Sequence, residues 1–253
     1  MANFLTSSIG KKFIQSVTGA FLIIFLLLHG TINFFSVLDS LGGRFGKVAA
    51  DAYPYTHGDG WFQLGCDFMS SPVITIMVPI LALGFVIHIL YGIWLTVDNY
   101  IRRGGIKRYA VASKAKNDSW SAKNMAILGI LVLGLLGFHL THFWAKMQLQ
   151  EFLGAEAENP YYLLIATFRN WWVVALYIVW FIALFLHLEH GFWSMFQTIG
   201  WNNKKWLCRL KVIGIIVAAA IVLLFVATAV NAFIEGNFLT ASREYTDVLI
   251  QNL

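Results

Sequence analysis

Charge is scarce in this chain. Only 12% of its 253 residues are charged and 58% are hydrophobic, and several apolar runs exceed eighteen residues, which excludes an ordinary soluble domain. Cysteine is scarcer still: Cys66 and Cys208 fit no metal-type spacing, and the topology below sets them too far apart for a disulfide. Of four prolines only Pro79 falls inside an apolar run, where a missing backbone donor predicts a kink. No nucleic-acid module is present.

What the chain has instead is length in hydrocarbon. The runs predict an all-α membrane protein with five transmembrane helices at about 13–38, 73–97, 125–144, 171–196 and 212–233, forming a single domain over 1–253. The first run follows Lys11 and Lys12, but it is too long for a signal peptide and lacks a small-residue cleavage site, so it is expected to be retained. Lys11 and Lys12, the stretch from Arg102 to Lys123, and Lys204 to Lys211 all fall on one side, with the acidic loop residues on the other. That asymmetry predicts a cytoplasmic amino terminus and an outer carboxyl terminus. The net charge of +5 is then first a topology signal, and second a surface for anionic lipid or a soluble cytoplasmic partner.

Histidines interrupt four of these spans. Gly19 and Gly129 each precede a histidine by ten residues, His29 and His139, while His88-Ile-Leu-Tyr-Gly92-Ile-Trp94 is echoed by His187-Leu-Glu-His-Gly191-Phe-Trp193. A histidine in hydrocarbon is costly and usually functional, and one on each of four helices, with matched glycines, points to two haems held between imidazoles. The first four helices are therefore expected to form the haem-binding bundle.

Helix direction sorts the four into pairs. Each lies 14 to 16 residues beyond the start of its span, about 22 Å into a hydrocarbon layer of about 30 Å. Helices one and three run outward and two and four inward, so His29 and His139 should share an outer layer and His88 and His187 an inner one. The layers should be about 15 Å apart. Gly92 and Gly191 lie one turn from His88 and His187 on the same face, where a missing side chain leaves room for a porphyrin. Gly19 and Gly129, ten residues from their histidines, fall at the depth of the other haem. Small residues also serve plain helix packing in membranes, and each glycine alone is open to that reading.

His142 and His190 compete with His139 and His187 from three residues further on, and the glycine repeats choose against them. They are expected nearer the interface in structural or hydrogen-bonding roles. The fifth span carries no histidine and only Asn231 and Glu235 near its outer end, so it is expected to pack as support.

At these residues the chain resembles the dihaem cytochrome b membrane anchor of succinate dehydrogenases and fumarate reductases, the five-helix class with one anchor polypeptide. The resemblance covers nearly the whole length and is carried by Gln15-Ser-Val-Thr-Gly19 through His29, His88 to Gly92, Gly129 to His139, and His187 through Ser194 to Gly200-Trp201. It implies that His88 and His187 bind the haem b nearer the cytoplasm and His29 and His139 the distal one. Gln15 and Ser16 would then bond a propionate of the proximal haem. It further implies an iron-sulfur subunit and a flavoprotein subunit on the cytoplasmic side, which hold the iron-sulfur clusters, the flavin and the dicarboxylate site; no dicarboxylate site is expected in this chain. Electrons would reach menaquinone in a bacterial inner membrane, with a dimer of such complexes allowed. Asp51, His57 and Asp59 in the outer loop are candidates for quinone and proton handling, since quinone reduction needs protons.

One departure bears on direction. Some fumarate reductases of this class carry a glutamate two residues before the fourth haem histidine for transmembrane proton transfer; here Phe185 stands there, and Glu189 lies on another face. Two alternatives stay open: the cytochrome b anchor of another quinone-linked dehydrogenase, such as a hydrogenase or formate dehydrogenase, and a proton or metal transporter using the intramembrane histidines.

Overall fold

The computed structural model describes residues 4–45, 60–102, 104, 120–201 and 203–238, and these are helical with no strand among them. Five long apolar helices dominate: α1 (Ser8–Phe45), α3 (Pro72–Arg102), α5 (Met125–His139) with its continuation Leu140–Trp144, α8 (Trp171–Thr198) and α9 (Lys204–Phe238). Each is long and apolar enough to cross a membrane. Short helices α2 (Trp61–Met69), α4 (Trp120–Lys123), α6 (Gln148–Phe152) and α7 (Pro160–Phe168) connect them.

The helix ends differ from the expected spans for a common reason. α9 begins at Lys204 rather than 212, and α1 runs to Phe45 rather than 38. Backbone hydrogen bonding continues past the apolar stretch at both ends: α9 carries Lys204, Lys205, Arg209 and Lys211 within its helix, and α1 carries Asp39, Ser40 and Arg44. α3 runs through Pro79 as one helix. The stretch between the first two expected spans also contains α2, whose first backbone N–H groups, from Trp61 and Phe62, donate to the Asp39 carboxylate at 3.0 and 2.7 Å. A carboxylate there satisfies orphan donors and the positive end of the helix dipole. Asn159 caps α7 in the same manner, with Pro160 at its first position.

The chain divides into two compact units, each assembled from segments of several helices. The first comprises Met1–Leu26, Ile76–Leu131 and Ala183–Ala220. In it Phe21 lies against Gly84, the one buried residue of α3, and the buried Lys11 forms an ion pair with Asp98 at 2.6 Å while its ammonium sits 3.9 Å over the Trp94 ring. Phe192 packs against Gly214, and Ser121 donates to Glu189 at 2.9 Å.

The second unit comprises Leu27–Thr75, Val132–Ile182 and Ile221–Leu253. Its core is aromatic: Phe62, Tyr161, Phe168, Tyr177, Trp180 and Phe181 are all buried, joined by Ala229 and Ala232 of α9. The Trp180 indole N–H donates to the Val132 carbonyl at 3.2 Å, and Phe181 stacks on Phe225. Expected only as support, α9 also brings in a fully buried carboxylate, Glu235, which accepts from the equally buried Ser40 hydroxyl.

Candidate functional site

Each unit brings two histidine rings together. His88 of α3 and His187 of α8 have ring centroids 6.3 Å apart and planes inclined at 66°; both belong to the first unit. His29 of α1 and His139 of α5, in the second unit, are 6.0 Å apart and inclined at 81°. An imidazole nitrogen lies about 2 Å from a bound transition metal and about 1 Å from its own ring centre, so rings on opposite sides of one ion sit about 6 Å apart. Both spacings suit two imidazoles that share one metal ion.

Donor chemistry narrows what fits. No group of three or more His, Cys, Asp or Glu side chains able to hold a metal ion occurs among the described residues. Two imidazoles alone are a poor cage for a bare ion, and they are a sufficient pair for iron already held in a macrocycle. Among the described residues, two of the three buried side-chain atoms without a hydrogen-bond partner lie at the His88–His187 pair or beside it: His187 Nδ1 and Gln15 Oε1. Buried polar atoms are nearly always paired, so unpaired ones at a facing histidine pair fit a ligand site.

The glycines line the first unit's pair. A Cβ on Gly19 would stand 3.3 Å from His88 Cε1, one on Gly129 3.9 Å from His187 Cε1, and one on Gly92 3.4 Å from Gln15 Nε2. At Gly191 a Cβ would meet nothing within 4 Å. Gly19 and Gly129 thus flank His88 and His187 rather than the histidines ten residues beyond them. Gln15 reaches His88, its amide nitrogen 3.2 Å from Nε2, whereas the buried Ser16 gives its hydroxyl proton to the Lys12 carbonyl at 2.9 Å. Asp51, His57 and Asp59 lie outside the described residues.

The rival histidines do other things. His142 donates from Nδ1 to the Phe138 carbonyl at 2.9 Å, with its ring 4.0 Å from that of Phe138. The backbone explains this: Leu140–Trp144 forms a π-helical turn directly after His139. More residues per turn rotate His142 further from the face of His139 than an α-helix would, and such turns occur often at functional sites. His190 sets its ring edge-on to Trp193 at 4.8 Å, and its buried Nδ1 has no partner.

Several neighbours escaped the sequence reading. Thr18 Oγ1 lies 3.2 Å from His88 Nδ1, and Tyr177 places its hydroxyl 3.5 Å from His139 Nδ1. Trp180 and Phe143 flank the His139 ring, and Phe225 flanks His29. One signal was available: Tyr177 precedes His187 by ten residues, the spacing that sets Gly19 before His29. Comparison with protein-family models, with curated proteins and with solved structures gives no match for this chain.

Proposed function

We propose that the chain is the dihaem membrane anchor and electron-transfer subunit of a succinate:quinone oxidoreductase, a succinate dehydrogenase or fumarate reductase. What carries the reading is the pair of facing histidine pairs, drawn from four helices, with ring centroids 6.3 and 6.0 Å apart. His88 and His187 would hold one haem b and His29 and His139 the other. A haem held by two imidazoles would supply reversible one-electron transfer rather than oxygen chemistry.

The chain's own residues do the rest. Four helices fix the imidazoles, the apolar bundle excludes water from them, and Gly191 leaves open space one turn from His187. Lys11, Lys12 and the basic stretches after α3 and before α9 would face the cytoplasm, where an iron-sulfur and a flavoprotein subunit dock. The quinone would be menaquinone in a bacterial inner membrane, with its site at the outer end.

A pyridine haemochrome assay on the purified chain tests the cofactor: two haems b per chain are expected, and none would end the proposal. Alanine at His88 or His187 should remove one spectral component and alanine at His29 or His139 the other, so a loss crossing these pairs would refute the pairing. Copurification of a flavoprotein and an iron-sulfur protein with succinate:quinone activity tests the assembly. Hydrogenase or formate dehydrogenase activity in that preparation would reassign the anchor.

A further inference from the structure

The two imidazoles of the inner pair are held differently, and the difference starts at Thr18. Its hydroxyl carries one proton and sits 2.8 Å from the Ile14 carbonyl and 3.2 Å from that of Gln15, both of which can only accept. The proton therefore goes to the helix backbone, as it commonly does for threonine within a helix. What Thr18 has left for His88 Nδ1, 3.2 Å away, is a lone pair. That contact is a hydrogen bond only if Nδ1 bears the imidazole proton.

A neutral imidazole has one N–H, so Nε2 is then the acceptor. The other side of the ring agrees: the Gln15 amide nitrogen, an obligate donor, stands 3.2 Å from Nε2. A metal at Nε2 would take the place of that contact. His187 has no such support, because its Nδ1 is buried without a partner.

We infer that Thr18 is a positioning residue for His88: it fixes the tautomer that offers Nε2 to iron, orients the ring, and makes His88 the more basic of the two inner ligands. An acceptor on the distal N–H of a ligating imidazole raises its donor strength, which favours the more highly charged metal. The inner haem is thereby held at a lower potential than two unsupported imidazoles would give. The inference rests on the dihaem reading above.

The test uses the full chain with its haems, as Thr18→Val, which keeps the shape and removes the acceptor, and Thr18→Ser, which restores it. Redox titration and the low-spin ferric resonance spectrum report each haem separately. In Thr18→Val the inner haem should titrate higher, by about 59 mV for a tenfold loss of ferric preference, with the outer haem unmoved and Thr18→Ser restoring the wild-type value. Loss of the inner haem from Thr18→Val but not from Thr18→Ser supports the same role. Wild-type potentials in Thr18→Val, equal shifts of both haems, or haem loss in both variants would overturn it. A wild-type chain without haem would instead sink the dihaem reading itself.

Discussion

Gly191 separates a packing glycine from a cofactor glycine. A Cβ there would meet nothing within 4 Å, so Gly191→Ala introduces no clash with the protein and removes a helix-interior glycine. On propensity alone the substitution should stabilise the helix by about 1 kcal/mol. If a porphyrin lies against this position, one turn from His187, the added methyl overpacks it. Overpacking of about 1–3 kcal/mol corresponds to about a 5- to 150-fold loss in haem retention. The two effects have opposite signs and are read by different assays. Thermal unfolding in detergent, followed by helical circular dichroism on the haem-free chain, should show a stability equal to or above wild type. Reconstitution with haem, followed by the reduced-minus-oxidised spectrum, should show selective weakening of the component lost in His187→Ala. Full retention of that component would mean that no planar ligand sits against Gly191, and the open space would then be only a lipid-facing groove.

Gly84→Ala should behave oppositely, since its Cβ would fall 2.9 Å from Phe21 Cε1; a destabilisation of about 1–3 kcal/mol by thermal unfolding is expected. Asp98→Ala leaves the buried Lys11 ammonium with the Trp94 face alone, and should cost about 1.5–3 kcal/mol in the same assay; Asp98→Glu should recover part of it. Burial, and then the neighbouring Asp67 charge, push the Cys66 thiol up to about 12. The thiolate is the nucleophile, so iodoacetamide labelling of Cys66 should rise about tenfold per pH unit from 7 to 10 without a plateau, and a plateau below pH 10 would contradict this. The exposed Cys208 serves as the internal reference.

Some of this architecture is legible without coordinates, because hydrocarbon imposes it. Apolar length alone marks the five long helices, and helix direction alone puts His88 with His187 and His29 with His139. Helix ends are less legible, since Lys204, Lys205, Arg209 and Lys211 read as loop while the backbone of α9 is already helical from Lys204. The π turn after His139 is invisible for a related reason: Leu-Thr-His-Phe-Trp has no composition that distinguishes it from an α-helical turn. Thr18 and Tyr177 were missed because a hydroxyl acquires its role only when another helix brings a ring nitrogen within reach. Ten residues of helical rise set Gly19 at the depth of the other histidine pair, but which ring it would meet there, His88 Cε1 at 3.3 Å from its Cβ position, depends on packing that rise alone does not give.

The interleaving of the two units bears on how such a protein is made. Each is stitched from an early, a middle and a late stretch of the chain, so neither exists as a continuous fragment that could be cut out and expressed. Phe225, which packs on His29, and Lys211, which covers Trp193 beside His190, both arrive with the last long helix. During synthesis the earlier helices must therefore wait in the bilayer with His29 lacking its Phe225 neighbour and Trp193 uncovered, and both contacts are completed in the same late step of biogenesis.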